Sequence, residues 1–434
     1  MIIGLVILFL IIVLLLGLPI GLAFALAALV GVVFTDLPLA SLGGTAYPAV
    51  ATIPLLAIPF FILAGEMMNR GRLIDRLVDL ADRALFWLPE RIGHVTVVAS
   101  AFLGAMTGSS VATVAAVGTA VGKRMTRMGY KKGYVGALTA SSGLLGVLIP
   151  PSIPLIVYGA AVGVSVSDLF LATIIPGIVM VIAFMAVHAI TGPRAQVATA
   201  SSGSVGESSP RLREAAGDAL RGFPRTLWRS LPALALPVVI LGGIYSGLTT
   251  ATEAAAVAGL YALIVILVGR MVTPGQVPSI FYKSALSAGA ILVIIAFTAA
   301  FNRLVTLMRV PQSLAESVTD FTSSPMVFLI LVNILLFLVG MFMETNAAVL
   351  LMAPLLFPSA MSLGIDPVHF GIILVTNIEI GLITPPLAAN VFVAARTTDI
   401  PLPQMLPYIW RFLVAAIAVL LLITYVPALS LWWQ

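Results

Sequence analysis

Two double-proline motifs lie 235 positions apart: Leu148-Ile149-Pro150-Pro151-Ser152 and Ile383-Thr384-Pro385-Pro386-Leu387. Each sits inside a long apolar segment. Proline has no backbone N–H and its ring clashes with the preceding turn, so a pair of prolines predicts a helix broken near its middle. A broken helix in lipid frees carbonyls and N–H groups, which are tolerated only where protein buries them or a polar cavity meets them. Matching breaks in the two halves of a membrane chain are the best sequence pointer to a secondary transporter's binding site. The same shift of 235 lays Gly108-Ser109-Ser110-Val111 over Met343-Glu344-Thr345-Asn346. Both are small or polar clusters in the middle of apolar segments.

The residue types in these clusters suit ion chemistry. The first half groups Thr107, Ser109 and Ser110 with Gly146, Ile149, Pro150, Pro151 and Ser152. Hydroxyls and freed carbonyls are hard oxygen ligands without formal charge. They suit a monovalent cation such as Na⁺, and half-helix C-termini add partial negative charge. The second half repeats the chemistry with Glu344, Thr345 and Asn346 beside Thr384, Pro385, Pro386, Ala388 and Asn390. Tips and breaks also present half-helix N-termini, whose N–H groups favour a carboxylate. An anionic substrate between the two tips follows as an expectation. Ser, Thr and Gly also serve tight helix packing in membranes, and that reading stays open here.

The elements that must position these residues come from composition. The chain has 434 residues, 61% hydrophobic and 9% charged, with mean hydropathy +1.15. That defines an all-α polytopic membrane protein. Apolar segments predict spans near 2–17, 20–35, 47–69, 133–162, 168–191, 230–247, 252–270, 284–306, 367–395 and 409–430. The segments 92–128 and 324–361 do not fit as simple crossings and read as re-entrant hairpins. The first is basic at both ends, with Arg91 before it and Lys123, Arg124, Arg127, Lys131 and Lys132 after it. Placing that hairpin on the cytoplasmic side puts twenty of the 22 Lys and Arg residues in cytoplasmic loops, leaving out only Arg303 and Arg309. This satisfies the positive-inside rule and sets both termini in the periplasm. Residues 1–192 and 230–434 then form two repeats of five crossings each, with a cytoplasmic linker at 193–229 containing the run Ser201-Ser202-Gly203-Ser204. An odd number of crossings inverts the second repeat. The N-terminus lacks a basic leader region, so Met1–Leu16 reads as a retained helix.

Other functions find no support. There is no cysteine, hence no thiolate site or disulfide. Gly118-Thr119-Ala120-Val121-Gly122-Lys123-Arg124 has the wrong spacing for a phosphate-binding loop and Arg where Ser or Thr is required. No hydrolase triad or zinc motif is present, so an enzyme is not expected. The net charge of +5 reads as loops meeting anionic lipid rather than nucleic acid. Among intramembrane carboxylates, Glu344 at the tip is a candidate for ion coupling or tip closure. Glu253 follows Thr250 at a helix start and reads as a cap. Glu66 pairs with Arg70 in the simplest reading, and Glu379 is left open between pairing and protonation. His188 and His369 lie near span ends and His94 in a loop, in structural roles. Trp410, Trp432 and Trp433 read as interfacial anchors.

The strings GAMTGSSVATVAAVG (104–118), LIPPSIPLIVYG (148–159), TATEAAAVAGLYAL (250–263), GMFMETNAAVLLMAPLLFP (340–358) and IGLITPPLAANVFVAA (380–395) resemble the large membrane subunit of tripartite ATP-independent periplasmic (TRAP) transporters. The resemblance covers essentially the whole chain. It implies an elevator-type transporter of the ion-transporter superfamily, in a bacterial inner membrane, importing organic acids such as C4-dicarboxylates or sialic acids with Na⁺ and no further cofactor. It implies two partners, a periplasmic substrate-binding protein and a small four-helix membrane subunit. It implies a first Na⁺ site at Thr107, Ser109, Gly146, Ile149 and Pro151 and a second at Thr345, Asn346 and Ala388. The chain departs from the family pattern at Glu344-Thr345-Asn346, commonly Asp-Thr-Thr, and at Leu387-Ala388, commonly Val-Gly. A stand-alone Na⁺- or H⁺-coupled organic-anion carrier of the same superfamily is the other transport reading.

Overall fold

The computed structural model describes residues 2–35, 40–192 and 209–434. Among them every regular element is helical. Two short helices open the chain, α1 (Ile2–Leu15) and α2 (Ile20–Val33), followed by α3 (Ala40–Val50), α4 (Ala57–Arg70) and the amphipathic α5 (Leu73–Ala84). The first hairpin is α6 (Arg91–Thr107), α7 (Ser110–Val117) and α8 (Lys123–Arg127). The first broken helix is α9 (Lys132–Ser142), α10 (Leu145–Leu148) and α11 (Ile153–Val162), closed by α12 (Val166–Ala172) and α13 (Ile174–Thr191). The second half runs α14 (Ser209–Tyr245), α15 (Ala251–Val268), α16 (Val277–Leu307) and α17 (Val310–Phe321). Its hairpin is α18 (Pro325–Phe342) and α19 (Thr345–Ser362), its broken helix α20 (Pro367–Gly381) and α21 (Ala389–Thr398), and its closing helix α22 (Leu402–Tyr425).

Among the described residues eight helical stretches are long and apolar enough to cross a membrane, nine if α9 to α11, bent by 43°, count as one. The sequence predicts ten crossings, and α1 and α2 account for part of the difference. Gly17, at φ +82°, and Pro19 end and restart the chain after 14 residues, short of the roughly 20 that a straight crossing takes. The second part of the linker region is helical. Helix α14 runs unbroken through position 230, and the Ser/Gly run at 201–204 lies outside the described residues. His94 is buried within α6 rather than in a loop.

Helix starts follow local chemistry. Thr250 and Glu253 form a reciprocal capping box on α15, which satisfies two N–H groups that a helix leaves unpaired. Asp366 Oδ1 accepts from Val368 N–H at 2.8 Å and His369 N–H at 3.0 Å at the start of α20. Helix α5 buries Leu73, Ile74, Leu77 and Val78 on one side, as its apolar spacing dictates.

The two halves interlock. Helix α4 packs on α15, α2 and α3 on α16, and α5 on α14, which together form an outer frame. Inside it α9 packs on α21 and α22, α11 on α19, and α18 on α20. Each hairpin therefore rests on elements of both halves. His188 and His369 hold this inner group together, as structural residues do. The Tyr134 hydroxyl lies 2.6 Å from His188 Nδ1 and the Ser430 hydroxyl 2.6 Å from His369 Nδ1.

Candidate functional site between two hairpin tips

Both double prolines break their helices, and both Pro-Pro bonds are cis. At the first, Ile149 is the extended residue after α10 and Ser152 the extended residue before α11. The hairpin tip fits against this gap. Gly108 turns the chain at φ +61°, a conformation that costs a side-chain-bearing residue about 1–2 kcal/mol. Its carbonyl accepts from Ile153 N–H at 3.1 Å. Thr107 Oγ1 lies 3.1 Å from Thr113 Oγ1 and 3.4 Å from the Ser109 carbonyl. Ser109 caps α7 by accepting from Ala112 N–H at 3.4 Å. A Cβ on Gly146 would stand 2.6 Å from the Ser109 carbonyl oxygen, and one on Gly108 would stand 2.9 Å from the Pro151 carbonyl oxygen. The structure thus brings Thr107, Ser109, Gly146 and Pro151 into one cluster. The Ile149 side chain points elsewhere, against Gly177 of α13.

The second tip repeats the plan. Glu344 caps α19, with Oε2 accepting from Ala347 N–H at 3.2 Å and Oε1 from Asn346 Nδ2 at 2.6 Å. Leu387 N–H donates to the Met341 carbonyl at 3.2 Å, so this tip too is tied to its broken helix by a backbone bond. Gly381, which the 235 shift pairs with Gly146, abuts Gly340 backbone to backbone. Two features differ between halves. Pro150, Pro151 and Ser152 are buried, whereas Pro385, Pro386 and Leu387 are exposed, Leu387 by 51%. Helix α13 covers the first break through Gly177, which abuts Leu148 and Ile149. The Thr384 hydroxyl, just past the end of α20, donates to the Ile380 carbonyl at 3.1 Å, which leaves its oxygen lone pairs available.

Ala388 sits at φ +40°, ψ 53°, where the left-handed conformation favours glycine. Ala388→Gly is therefore expected to stabilise the fold by up to about 1 kcal/mol. A rise in melting temperature in detergent checks this, and a fall would refute it.

The residue sequence reasoning left open joins the halves. Glu379, on α20, is 1% exposed. Its Oε1 accepts from Thr345 Oγ1 at 2.8 Å, and the Ser110 hydroxyl of the first tip faces the same carboxyl group. The signal that could find it is its own cost, since a carboxylate inside an apolar span is a functional candidate by default. Glu379 lines a cavity of about 240 Å³ with Ser109, Ser110, Glu344, Thr345 and Asn346. Helices α7, α11, α19 and α21 all begin on its lining, at Ser110, Ile153, Thr345 and Ala389. First-turn N–H groups have no partner inside their own helix, so four partial positive charges converge there. No Lys or Arg lines it. Buried polar atoms without a hydrogen-bond partner among the described residues include Glu379 Oε2 and Asn346 Oδ1 at its wall, and Asn390 Oδ1 and Nδ2 and Ser152 Oγ in the two breaks. Buried polar atoms are rarely left unpaired, and these five lie at the tip cavity or in the breaks beside it.

Comparison with known proteins identifies the chain's family. The family described as tripartite ATP-independent periplasmic transporter, DctM component, matches residues 6–429. The chain belongs to this family. The C4-dicarboxylate TRAP transporter large permease protein of Pseudomonas aeruginosa is 39% identical over 87% of this chain and 85% of its own length. The sialic acid TRAP transporter large permease protein of Vibrio cholerae is 32% identical over 96% of this chain and 94% of its own length. An isethionate TRAP transporter permease protein of Oleidesulfovibrio alaskensis is 36% identical over 96% of this chain, which spans 64% of that longer relative. The crystal structure of the Alcanivorax borkumensis YdaH transporter matches with TM-score 0.60 at 18% identity, over 92% of this chain and 87% of that one. That likeness is one of fold. The chain is a multi-pass TRAP permease subunit.

Two wider spaces lie elsewhere in the molecule, the first of them adjoining the tip cavity. One, of about 530 Å³, holds Glu66, Asn69 and Lys283 and shares Ser109, Val111, Ile153 and Ile291 with the tip cavity. The other, of about 510 Å³, holds Asn302 and Arg303 and shares none of that lining. Glu66 pairs with Arg70 at 3.1 Å at the mouth of the first.

Proposed function

We propose that the chain is the large subunit of a Na⁺-coupled, binding-protein-dependent importer of organic acids, C4-dicarboxylate or sialic-acid-like, working as an elevator in a bacterial inner membrane. The tip cavity carries the reading. It offers an anion four helix N-termini and several hydroxyls, yet it contains two carboxylates, Glu344 and Glu379, and no basic side chain. An anion entering beside two carboxylates in a medium of low dielectric needs cations with it. Thr107, Ser109, Ser110, Gly146, Ile149 and Pro151 on one side, and Thr345, Asn346, Thr384 and Ala388 on the other, would supply oxygen ligands for Na⁺. Pro150, Ser152, Pro385, Pro386, Glu344 and Asn390 would frame the substrate. Na⁺ that binds only the closed-tip arrangement couples its gradient to substrate through differential affinity. Hairpins and broken helices would move as a block against the frame α1–α5 and α14–α17. A periplasmic binding protein would deliver substrate, and a small four-helix membrane subunit would support the frame.

The deciding experiment is uptake of candidate organic acids into proteoliposomes holding this chain and a small partner subunit, with binding protein and Na⁺ gradient each present or absent. Uptake only with both supports the reading. Uptake without the binding protein assigns a stand-alone carrier instead.

Both termini are periplasmic in this proposal, and the space joined to the tips opens to the cytoplasm. The chain's lack of cysteine makes single-site labelling clean. Ser287→Cys, in that space, is expected to react with an impermeant maleimide in inside-out vesicles, and Ala299→Cys, in the opposite one, in right-side-out vesicles. The reverse pattern would overturn the orientation.

A further inference from the structure

A cavity of about 1060 Å³ lies away from the tips, where α5, α6, α8 and α14 meet. Among the described residues five arginines line it, Arg76, Arg83, Arg91, Arg124 and Arg229, against two aspartates, Asp79 and Asp82. Three positive charges are in excess. The aspartates serve the base of the first hairpin. Asp82 holds Arg91 at 2.8 Å and Arg124 at 2.7 Å, and Asp79 lies 3.9 Å from Arg124. On the frame side, Arg76 donates to the Arg229 carbonyl at 3.2 Å, and the Ser230 hydroxyl donates to the Arg76 carbonyl at 2.9 Å. Arg83 and Arg229 have no carboxylate at ion-pair distance among the described residues. Guanidinium groups gathered around a concave space focus a positive potential into it. Their planar forks match phosphate and carboxylate oxygens in pairs.

We propose that this cavity binds a phosphate-bearing anion, the head group of an anionic phospholipid of the inner leaflet. The membrane side assigned here rests on the orientation proposed above. Three observations favour a lipid over a free ion. The space is far larger than a bare phosphate needs. It lies at the basic end of the molecule, where anionic lipid is attracted by about 1 kcal/mol per Lys or Arg near the surface. Its wall includes Phe86, in edge contact with Trp87 at 5.4 Å, and Trp87 is 59% exposed, as aromatic residues at a head-group level are. A head group held here would bridge Arg91 and Arg124 of the hairpin to Arg76, Arg83 and Arg229 of the frame. Its occupancy would weight the equilibrium between block and frame.

Native mass spectrometry of the full chain in detergent tests this, with phosphatidylglycerol and phosphatidylcholine titrated separately. It reads binding whatever the orientation or cargo, so failure here leaves the transport reading intact, and failure of that reading leaves the adduct intact. The expected result is a phosphatidylglycerol adduct that survives activation removing phosphatidylcholine. Arg83→Gln with Arg229→Gln should weaken that adduct about thirtyfold, the effect of two interfacial charges, and leave phosphatidylcholine unchanged. Should the double variant fail to fold, Arg76→Gln alone tests the same wall. Equal retention of the two lipids, or an adduct indifferent to the arginines, overturns the proposal. A further arm adds inorganic phosphate to lipid-stripped protein. Arginine-dependent thermal stabilisation there without any lipid preference would overturn the lipid source and assign a soluble phosphate anion.

Discussion

Glu379→Ala is expected to abolish substrate uptake and to lower the melting temperature, whereas Glu379→Gln is expected to keep the fold and lose the Na⁺ dependence that the proposed function requires. The carboxylate accepts from Thr345 at 2.8 Å and has Ser110 of the other tip beside it, so alanine strands the buried Thr345 hydroxyl and empties the space between the two tips. An unsatisfied group costs about 1–3 kcal/mol, and the lost side chain leaves a void beside it. A shift of about 3 kcal/mol against the closed-tip state would weaken substrate binding more than a hundredfold. Glutamine keeps volume and one acceptor oxygen but removes the negative charge that a cation at Oε2 would balance. Its half-saturating Na⁺ concentration in uptake should rise about tenfold or more, the equivalent of about 1.4 kcal/mol. Thermal stability separates the two effects, since a purely structural role predicts parallel losses in both variants. Wild-type Na⁺ dependence in Glu379→Gln would remove the residue from the coupling site.

The double prolines are legible in the sequence because their effect is local. Missing N–H groups and ring clashes break a helix whatever surrounds it, and so the positions of both breaks and both tips follow from residue order. The same holds for Thr250 with Glu253 and Glu66 with Arg70, whose spacings of three and four make contact inevitable in a helix. What is not legible depends on packing between distant segments. Nothing local tells which side of α20 meets the tips, so Glu379 stays ambiguous until Thr345 and Ser110 are placed around it. The difference between the buried first break and the exposed second one arises from α13 lying over Ile149. Periodicity likewise cannot separate a span from a short buried helix, which is where α1 and α2 depart from expectation.

The glycines at the two tip-to-break contacts give the other large expected effect. Gly146→Ala would place a Cβ 2.5 Å from Thr113 Oγ1 and 2.6 Å from the Ser109 carbonyl oxygen. Gly381→Ala would place one 2.7 Å from the Gly340 carbonyl oxygen. Backbone atoms cannot rotate aside as side chains do, so each substitution must push a hairpin arm off its broken helix. Overpacking of this kind costs about 1–3 kcal/mol. The displacement also moves the groups that matter, the Ser109 carbonyl in one half and Glu379, two residues from Gly381, in the other. Both variants should lose Na⁺-dependent uptake by about tenfold or more even where they fold, because 1.4 kcal/mol at a site is a factor of ten. Gly242→Ala in α14 is the control. Its Cβ would meet nothing within 4 Å, so alanine there should be neutral or stabilising by about 0.5–1 kcal/mol through helix propensity. If Gly146→Ala and Gly381→Ala matched Gly242→Ala in melting temperature and uptake, close contact of tip and break would not be what builds the site. If they lose uptake while the control keeps it, the two glycines that the 235 shift pairs act as one device, setting each half's free carbonyls at the distance a bound cation requires.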